Sequence, residues 1–534
     1  MSFVTDNILS WVTFLPLAGA LVILLLMSRH AAAAFWTAMV TAVADLALGL
    51  VLWFGYDAGK GTDQFTEQAA WFLQGKVQYH LAMDGISLVL IMLTVFLGPL
   101  IILSTRKAVE QRVPLFVAMY LVLQTAMIGT FLARDMLLFY VFWELMLIPM
   151  YFLIGIWGGQ RRIYAAVKFF IFTMAGSVFM LVAILYCWFK TGSMALHDWL
   201  AMDLTMTEQL WLFTAFALAF AIKVPLWPLH TWLPDAHVEA PTAGSVVLAG
   251  VLLKMGTYGL LRFAMPLFPD AAVAAAPVLA ILSVIGIIFG ALVAWVQTDV
   301  KKLVAYSSVS HLGFVVLGLF SLTTKGAAGG IFQMLAHGLS TGALFLLVGV
   351  IYERRHTREM SEFGGLAHGM PRYATVFMIT TLASVGLPGL CGFIGEFMIL
   401  MGTFGSPVLP GAKLITALAA TGVILGAIYM LWLVQKMFYG PVRVEKNKGL
   451  PDLTGREMVV LLPLVVFMFW LGIGPNLVLD KVGPSLDRVL EPLAIEELAP
   501  AHEDPADHHG HGHGHAMITT TPADEATGHE EAVR

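Results

Sequence analysis

The chain has 534 residues, 59% of them hydrophobic and only 12% charged, with a formal net charge of -5 at pH 7. Soluble domains carry roughly a quarter charged residues, so the composition excludes a water-soluble enzyme or a nucleic-acid-binding module. It points to an all-α polytopic membrane protein, and the small net charge, spread over many loops and a tail, identifies no partner.

Apolar runs near the ~20 residues needed to cross a ~30 Å hydrocarbon core recur along nearly the whole length. About 14 transmembrane helices are expected, centred near residues 18, 43, 92, 123, 147, 178, 220, 253, 284, 311, 340, 386, 425 and 467. The first, Ile8 to Met27, has neither a basic segment before it nor a small-residue cleavage site after it, so it reads as a retained span rather than a secretory signal. Asp84, Asp135 and Asp299 read as caps or interfacial pairs, at two helix starts and one helix end. Cys187 and Cys391 lie in apolar segments, where a thiol behaves as a small hydrophobe, and suggest neither a disulfide framework nor an iron-sulfur site.

Two spans carry their own breaks. "AIKVPLWPLHTWLP", Ala221 to Pro234, holds Pro225, Pro228 and Pro234 just after Lys223; "SVGLPGLCGFIGEF" holds Gly386, Pro388, Gly389, Gly392 and Gly395 just before Glu396. Carbonyls freed inside a bilayer need protein or water, so a broken span lines a polar cavity, and paired broken helices indicate an inverted-repeat transporter. The expected organisation is N-terminal helices over 1–113, two inverted five-helix repeats over 114–264 and 271–439, each with one broken helix, and a last helix with its flank over 440–493. The "PDAHVEAP" stretch, with Asp235, His237 and Glu239, reads as a polar turn at the membrane surface. Residues 494–534 turn acidic and His-rich ("HHGHGHGH") and read as a disordered, solvated tail.

Six titratable side chains fall where hydrocarbon is expected: Glu144, Lys223, Lys254, His311, His337 and Glu396. Charges at that depth are costly unless paired or hydrated, so they read as functional. At ~1.5 Å of rise per residue, Glu144 lies roughly 13 Å beyond Asp135. Lys254 and His311 reach similar depths, which describes a polar line parallel to the membrane. Its chemistry would be proton hopping. Lys223 is a buried amine whose proton affinity depends on whether Glu144 is close, and histidines, which ordinarily titrate near neutrality, suit a relay from a lysine to a distant acid. The unwound backbone after Lys223 would give it room for water and a hinge. No phosphate-binding glycine loop, nucleophile elbow, haem ligation or cluster ligation is present in the sequence.

Four stretches carry a resemblance. "LLFYVFWELMLIPMYFLIGIWGG", "AIKVPLWPLHTWLPDAHVEAPTAGSVVLAGVLLKMGTYGLLRF", "TDVKKLVAYSSVSHLGFVVLG" and "GLPGLCGFIGEF" closely resemble the antiporter-like membrane subunits of proton-pumping NADH:quinone oxidoreductase, respiratory complex I, over about residues 8–480. Within that family the resemblance is to chain M, the counterpart of mitochondrial chain 4, because Glu396 stands where sister chains L and N carry a lysine and because L's long lateral helix is absent. The resemblance implies that Glu144 and Lys223 are a coupling pair, Lys254 the central proton carrier, His311 and His337 the relay, and Glu396 the terminal group. It implies no cofactor or metal in this chain, with NADH, FMN, iron-sulfur clusters and quinone on partner subunits, and L-type and N-type chains among its membrane neighbours. An Mrp-type cation/proton antiporter subunit, a membrane-hydrogenase subunit and an inert scaffold are the competing readings; the last leaves the buried charges unexplained. Basic residues gather in alternate loops, among them Arg29, Arg106, Lys107, Arg161, Arg162, Lys301, Lys302, Arg354 and Arg355. Under the positive-inside rule those loops are cytoplasmic and both termini periplasmic in a bacterial inner membrane.

Overall fold

The computed structural model describes residues 6–493, so the His-rich tail lies outside the described residues. The chain is helical almost throughout. In order, α1 is Ile8–Leu26 and α2 Ala31–Gly55; an antiparallel hairpin of β1 (Gln64–Phe72) and β2 (Val77–Met83) precedes α3 (Gly85–Ala108) and α4 (Val113–Leu132). Then come α5 (Met136–Leu145), α6 (Leu147–Trp157), α7 (Arg162–Thr191), α8 (Met206–Lys223) and α9 (Trp232–Glu239). The second half holds α10 (Thr242–Leu267), α11 (Pro269–Trp295), α12 (Val300–Phe320), α13 (Thr324–Arg355), α14 (Pro371–Val385), α15 (Cys391–Phe404), α16 (Ala412–Phe438) and α17 (Gly455–Ile473). A short helix, α18 (Asn476–Leu490), ends the described chain's main elements.

Among the described residues twelve helical segments are long and apolar enough to cross a membrane. The two stretches expected to be broken are indeed divided: α8 stops at Lys223 and α9 resumes at Trp232, while α14 stops at Val385 and α15 resumes at Cys391. Proline explains the first break, since Pro225 and Pro228 have no amide hydrogen to donate. The Leu226 amide takes the Ala221 carbonyl instead at 2.8 Å, and the Trp232 indole donates to the Ile222 carbonyl at 2.8 Å. The freed backbone is thus satisfied inside the protein, as a bilayer requires.

Burial sorts the helices. Exposed Phe54, Phe189, Trp211 and Ile473 present apolar surface outward, as lipid contact allows, whereas α10 and α13 are buried through their whole apolar windows and α12 nearly so. These three central helices carry Lys254, His337 and His311. Their close approach depends on residues without side chains. A Cβ on Gly338 would fall 2.9 Å from the Gly250 carbonyl oxygen, so α13 and α10 meet backbone to backbone.

The same device seats α15. A Cβ on Gly395 would lie 2.9 Å from Gln333 Cα, and one on Gly329 would lie 2.7 Å from Met398 Cβ. Gly395→Leu is therefore expected to destabilise the α13–α15 contact by ~1–3 kcal/mol, the usual scale of overpacking, and to push Glu396 off its partners. A fall in the thermal midpoint of the purified complex checks it; an unshifted midpoint would show that the seam has slack.

Several features differ from the sequence reading. The sequence reading has no counterpart of the hairpin, whose polar strands sit between strong helical signals; Glu67 on β1 accepts the Leu9 amide at 2.7 Å and the Ser10 amide at 3.0 Å, capping α1 from outside. Asp299 stands at a helix start, not an end: its carboxylate accepts the Lys301 and Lys302 amides of α12. Asp84 and Asp135 are caps as expected, of α3 and α5. The "PDAHVEAP" stretch is not a surface turn; it forms most of α9 with His237 fully buried, because α9 packs beneath α7 and α12.

Candidate functional site

All six expected residues lie on different helices, and four of them are in contact. Lys254 sits on α10 between two π-helical turns, Leu248–Leu252 and Leu260–Ala264. Such turns widen the helix by one residue and leave a carbonyl short of its usual donor. The Lys254 ammonium donates to one of them, the Ala249 oxygen, and also to His337 Nδ1 at 2.8 Å. Lys254 has no solvent exposure at all. The rings of His337 and His311 stand 5.7 Å apart, centroid to centroid, and His311 Nδ1 donates to Glu396 Oε1 at 3.0 Å. The result is a line running from α10 through α13 and α12 to α15, wholly inside the protein.

Three further polar groups belong to this line and were missed from the sequence. Gln333 donates from its amide to Glu396 Oε1 at 3.2 Å; Ser384 Oγ and the Tyr429 hydroxyl lie 3.4 Å and 3.5 Å from His311 Nε2. Gln333 was detectable, since it precedes His337 by one turn and so shares its face. Ser384 and Tyr429 carried no signal, being ordinary in such helices.

Glu144 and Lys223 are placed differently. α5 ends at Leu145 because Pro149, four residues on, removes the amide that would have bonded its carbonyl. Glu144 therefore occupies a last turn, with one carboxylate oxygen lacking a hydrogen-bond partner among the described residues. Lys223, the last residue of α8, is buried, and its ammonium also lacks a partner there. It faces the rings of Trp143 at 5.0 Å and Phe169 at 5.8 Å. Trp143, next to Glu144, is fixed by donating from its indole to Ser177 Oγ at 2.9 Å. The two expected partners thus make no direct ion pair; Lys223 lies over the ring of Trp143, the residue before Glu144.

His237 is the other group the sequence reading undervalued. Its ring stacks on Phe345 at 4.6 Å, and neither ring nitrogen has a hydrogen-bond partner among the described residues. Lys301 closes the same region by donating to the Ala240 carbonyl at 2.6 Å at the end of α9. No group of three or more His, Cys, Asp or Glu side chains among the described residues is arranged to hold a metal ion.

Chemically, the line offers alternating donors and acceptors with no nucleophile and no ligand set. An imidazole can take a proton on one nitrogen and release it from the other, so His337 and His311 can stand between an amine and a carboxylate without net change.

Comparison with known proteins agrees with this geometry. Residues 133–431, which span all six groups, match the family described as NADH:quinone oxidoreductase/Mrp antiporter, TM, and residues 62–130 match NADH-ubiquinone oxidoreductase chain 4, amino terminus. The chain is 46% identical to NADH-quinone oxidoreductase subunit M of Rhodobacter capsulatus over 91% of this chain and 97% of that one. It is 41% identical to NADH-ubiquinone oxidoreductase chain 4 of Arabidopsis thaliana over 90% and 97%. Among solved structures, a chain of respiratory complex I from Thermus thermophilus with bound NADH superposes with a TM-score of 0.82 at 35% identity, covering 91% of this chain and 99% of that one. A chain of the Mrp complex from Dietzia sp. DQ12-45-1b shares the fold at 21% identity, with a TM-score of 0.81 over 94% and 100%. With a membrane-buried line of titratable groups inside the matched region and near-complete coverage of its relatives, the chain belongs to the family of antiporter-like membrane subunits M, or chain 4, of NADH:quinone oxidoreductase.

Proposed function

We propose that this chain is the proton-translocating M subunit of a respiratory NADH:quinone oxidoreductase, acting as a non-redox translocase. The observation that carries the reading is the buried Lys254–His337–His311–Glu396 line, hydrogen-bonded at both ends and closed in the middle by two imidazoles whose rings stand 5.7 Å apart. Lys254 holds the proton centrally, the two histidines pass it, and Glu396, held by Gln333 and His311, receives it before release. Glu144 and Lys223 form the coupling end, where a change arriving from neighbouring subunits alters the charge balance felt by Lys254. NADH, FMN, iron-sulfur clusters and quinone belong to partner subunits, and L-type and N-type chains flank this one. The distribution of basic loops supports a bacterial inner-membrane orientation with the hairpin and both termini on the periplasmic side. The two interrupted passes, added to the twelve long helices, support fourteen crossings in two inverted five-helix repeats over 114–264 and 271–439. An Mrp-type antiporter shares the fold, but 46% identity to a subunit M favours the respiratory enzyme.

Glu396→Gln tests the reading. In the assembled complex in sealed vesicles, the neutral amide keeps the bulk and hydrogen bonds of the site but cannot accept a proton. The proton-to-electron ratio is expected to fall, with NADH:quinone turnover slowed alongside it. A wild-type ratio and rate in a fully assembled Glu396→Gln complex would remove Glu396 from the path.

A further inference from the structure

Lys254 has a second polar neighbourhood, which the line to Glu396 does not use. Tyr258 and Arg262 follow it on α10 at four and eight residues, so they continue one face of the helix and place Arg262 ~12 Å along the axis. Tyr258 is fully buried; its ring meets Phe131 edge-on at 5.2 Å and Phe263 at 6.0 Å. Its hydroxyl donates to the Phe131 carbonyl at 2.8 Å and lies 3.2 Å from Ser87 Oγ and 3.4 Å from Arg134 Nη1. Beyond this aromatic layer, Arg262 pairs with Asp84, and Arg134 grips Asp63 through two bonds of 2.9 Å and 2.7 Å while standing 3.8 Å from Asp84.

The four charges come from four places: the residue before β1, the cap of α3, the link between α4 and α5, and α10. Asp84 and both arginines are buried. Asp63 keeps 40% of its side chain exposed; the adjacent Arg134 guanidinium outweighs what desolvation it has and holds its carboxyl down to about 2, so that pair remains ionised at physiological pH. Buried ion pairs are weak sources of stability, and apolar side chains serve as well for holding helices together. A stapling role therefore does not explain why the helix face that begins at Lys254 ends in Arg262 with a second permanent cation, Arg134, beside it.

We infer that the Asp63–Arg134–Asp84–Arg262 cluster, with Tyr258 in front of it, is a charge seal. It closes the hairpin side of the membrane to a proton held on Lys254 and leaves the sideways route through His337 to Glu396 as the way out. Guanidinium groups keep their charge at any physiological pH, and a fixed cation in a narrow passage excludes protons and other cations. The two carboxylates balance the arginines without offering a free proton-accepting site. The inference rests on the reading of Lys254 as the central carrier.

Arg262→Gln removes one cation and leaves Asp84 facing Tyr258. The full complex would be reconstituted in sealed liposomes, a pH gradient imposed with the enzyme idle, and its collapse followed with a trapped pH dye. Arg262→Gln is expected to collapse the gradient about tenfold faster than wild type, equivalent to ~1.4 kcal/mol of barrier. Arg262→Lys, which keeps the charge, should remain tight, and adding Lys254→Met to Arg262→Gln should restore tightness. An assembled, tight Arg262→Gln complex overturns the seal, and so does a leak that survives Lys254→Met, because it bypasses the carrier. Where Arg262→Gln does not assemble, Arg134→Gln, which removes the other cation from a link rather than a helix, is read on the same arms. Lys254→Met alone separates the two ideas: full pumping in that variant defeats the carrier reading whatever the gradient experiment returns.

Discussion

Lys254→Met in the assembled complex is expected to abolish proton uptake through this chain and to slow NADH:quinone turnover with it. Methionine fills nearly the same volume and is apolar, so the buried helix α10 should keep its packing. What it cannot do is carry a proton or donate to His337 and to the Ala249 carbonyl. Both losses fall on groups with no solvent access to replace them, and the relay loses its source while His337 and His311 stay in place. The fall in proton uptake should exceed about tenfold, a barrier change of more than ~1.4 kcal/mol. Simultaneous electron-transfer and pH-jump measurements on inverted membrane vesicles check it. Wild-type uptake from a Lys254→Met complex would mean that protons cross by a route not containing the central line.

How much of this site was legible in the sequence depends on which physical rule marked each residue. Lys254, His311, His337 and Glu396 stood out because a titratable group inside a hydrocarbon-length apolar run is costly, and that rule needs no partner to be known. Their order along the line is a tertiary fact. It depends on Gly250 and Gly338 bringing α10 and α13 into backbone contact, and glycine in a membrane helix is too common to announce such a contact. The π-helical turns around Lys254 were illegible for another reason: they change hydrogen-bond register without changing composition. His237 is placed wrongly by the sequence because Pro234 and Pro241, flanking a short polar run, read as a turn; the structure shows an eight-residue helix, Trp232–Glu239, that takes in Pro234 and is buried by α7 and α12. Of the seal residues, Asp84 alone reads from the sequence as a cap or interfacial charge, since nothing there brings Asp63, 21 residues before Asp84, Arg134 and Arg262 to the same place.

The fold shows the same division. The apolar runs fixed where helices lie, and the prolines after Lys223 fixed where one of them breaks. The hairpin and the amphipathic α18 escaped because neither is long or apolar enough to register against the membrane signal. Both are nonetheless tied to the core: Ser485 on α18 accepts the Gly85 amide at 3.0 Å at the start of α3, next to Asp84 of the seal.

The separation of Glu144 from Lys223 leads to the second large effect. Lys223 is buried and Glu144 partly so, and each has an enclosed polar atom without a hydrogen-bond partner among the described residues, an unfavourable arrangement to leave at rest. Lys223 lies over the ring of Trp143, whose indole is anchored to Ser177, at the end of α8 beside the proline break. A shift of α8 against α5 that paired Lys223 with Glu144 would satisfy both open atoms, so the energy difference between the two arrangements is available for coupling. If the groups act as one element, removing either should disable it. Glu144→Gln and Lys223→Ala are each expected to lower turnover and pumping together by about tenfold or more, and the double variant should be no worse than the more damaging single one, the non-additive pattern of residues that act as a unit. Losses that multiply in the double variant would mean that the two groups contribute independently, one to the path and the other to packing.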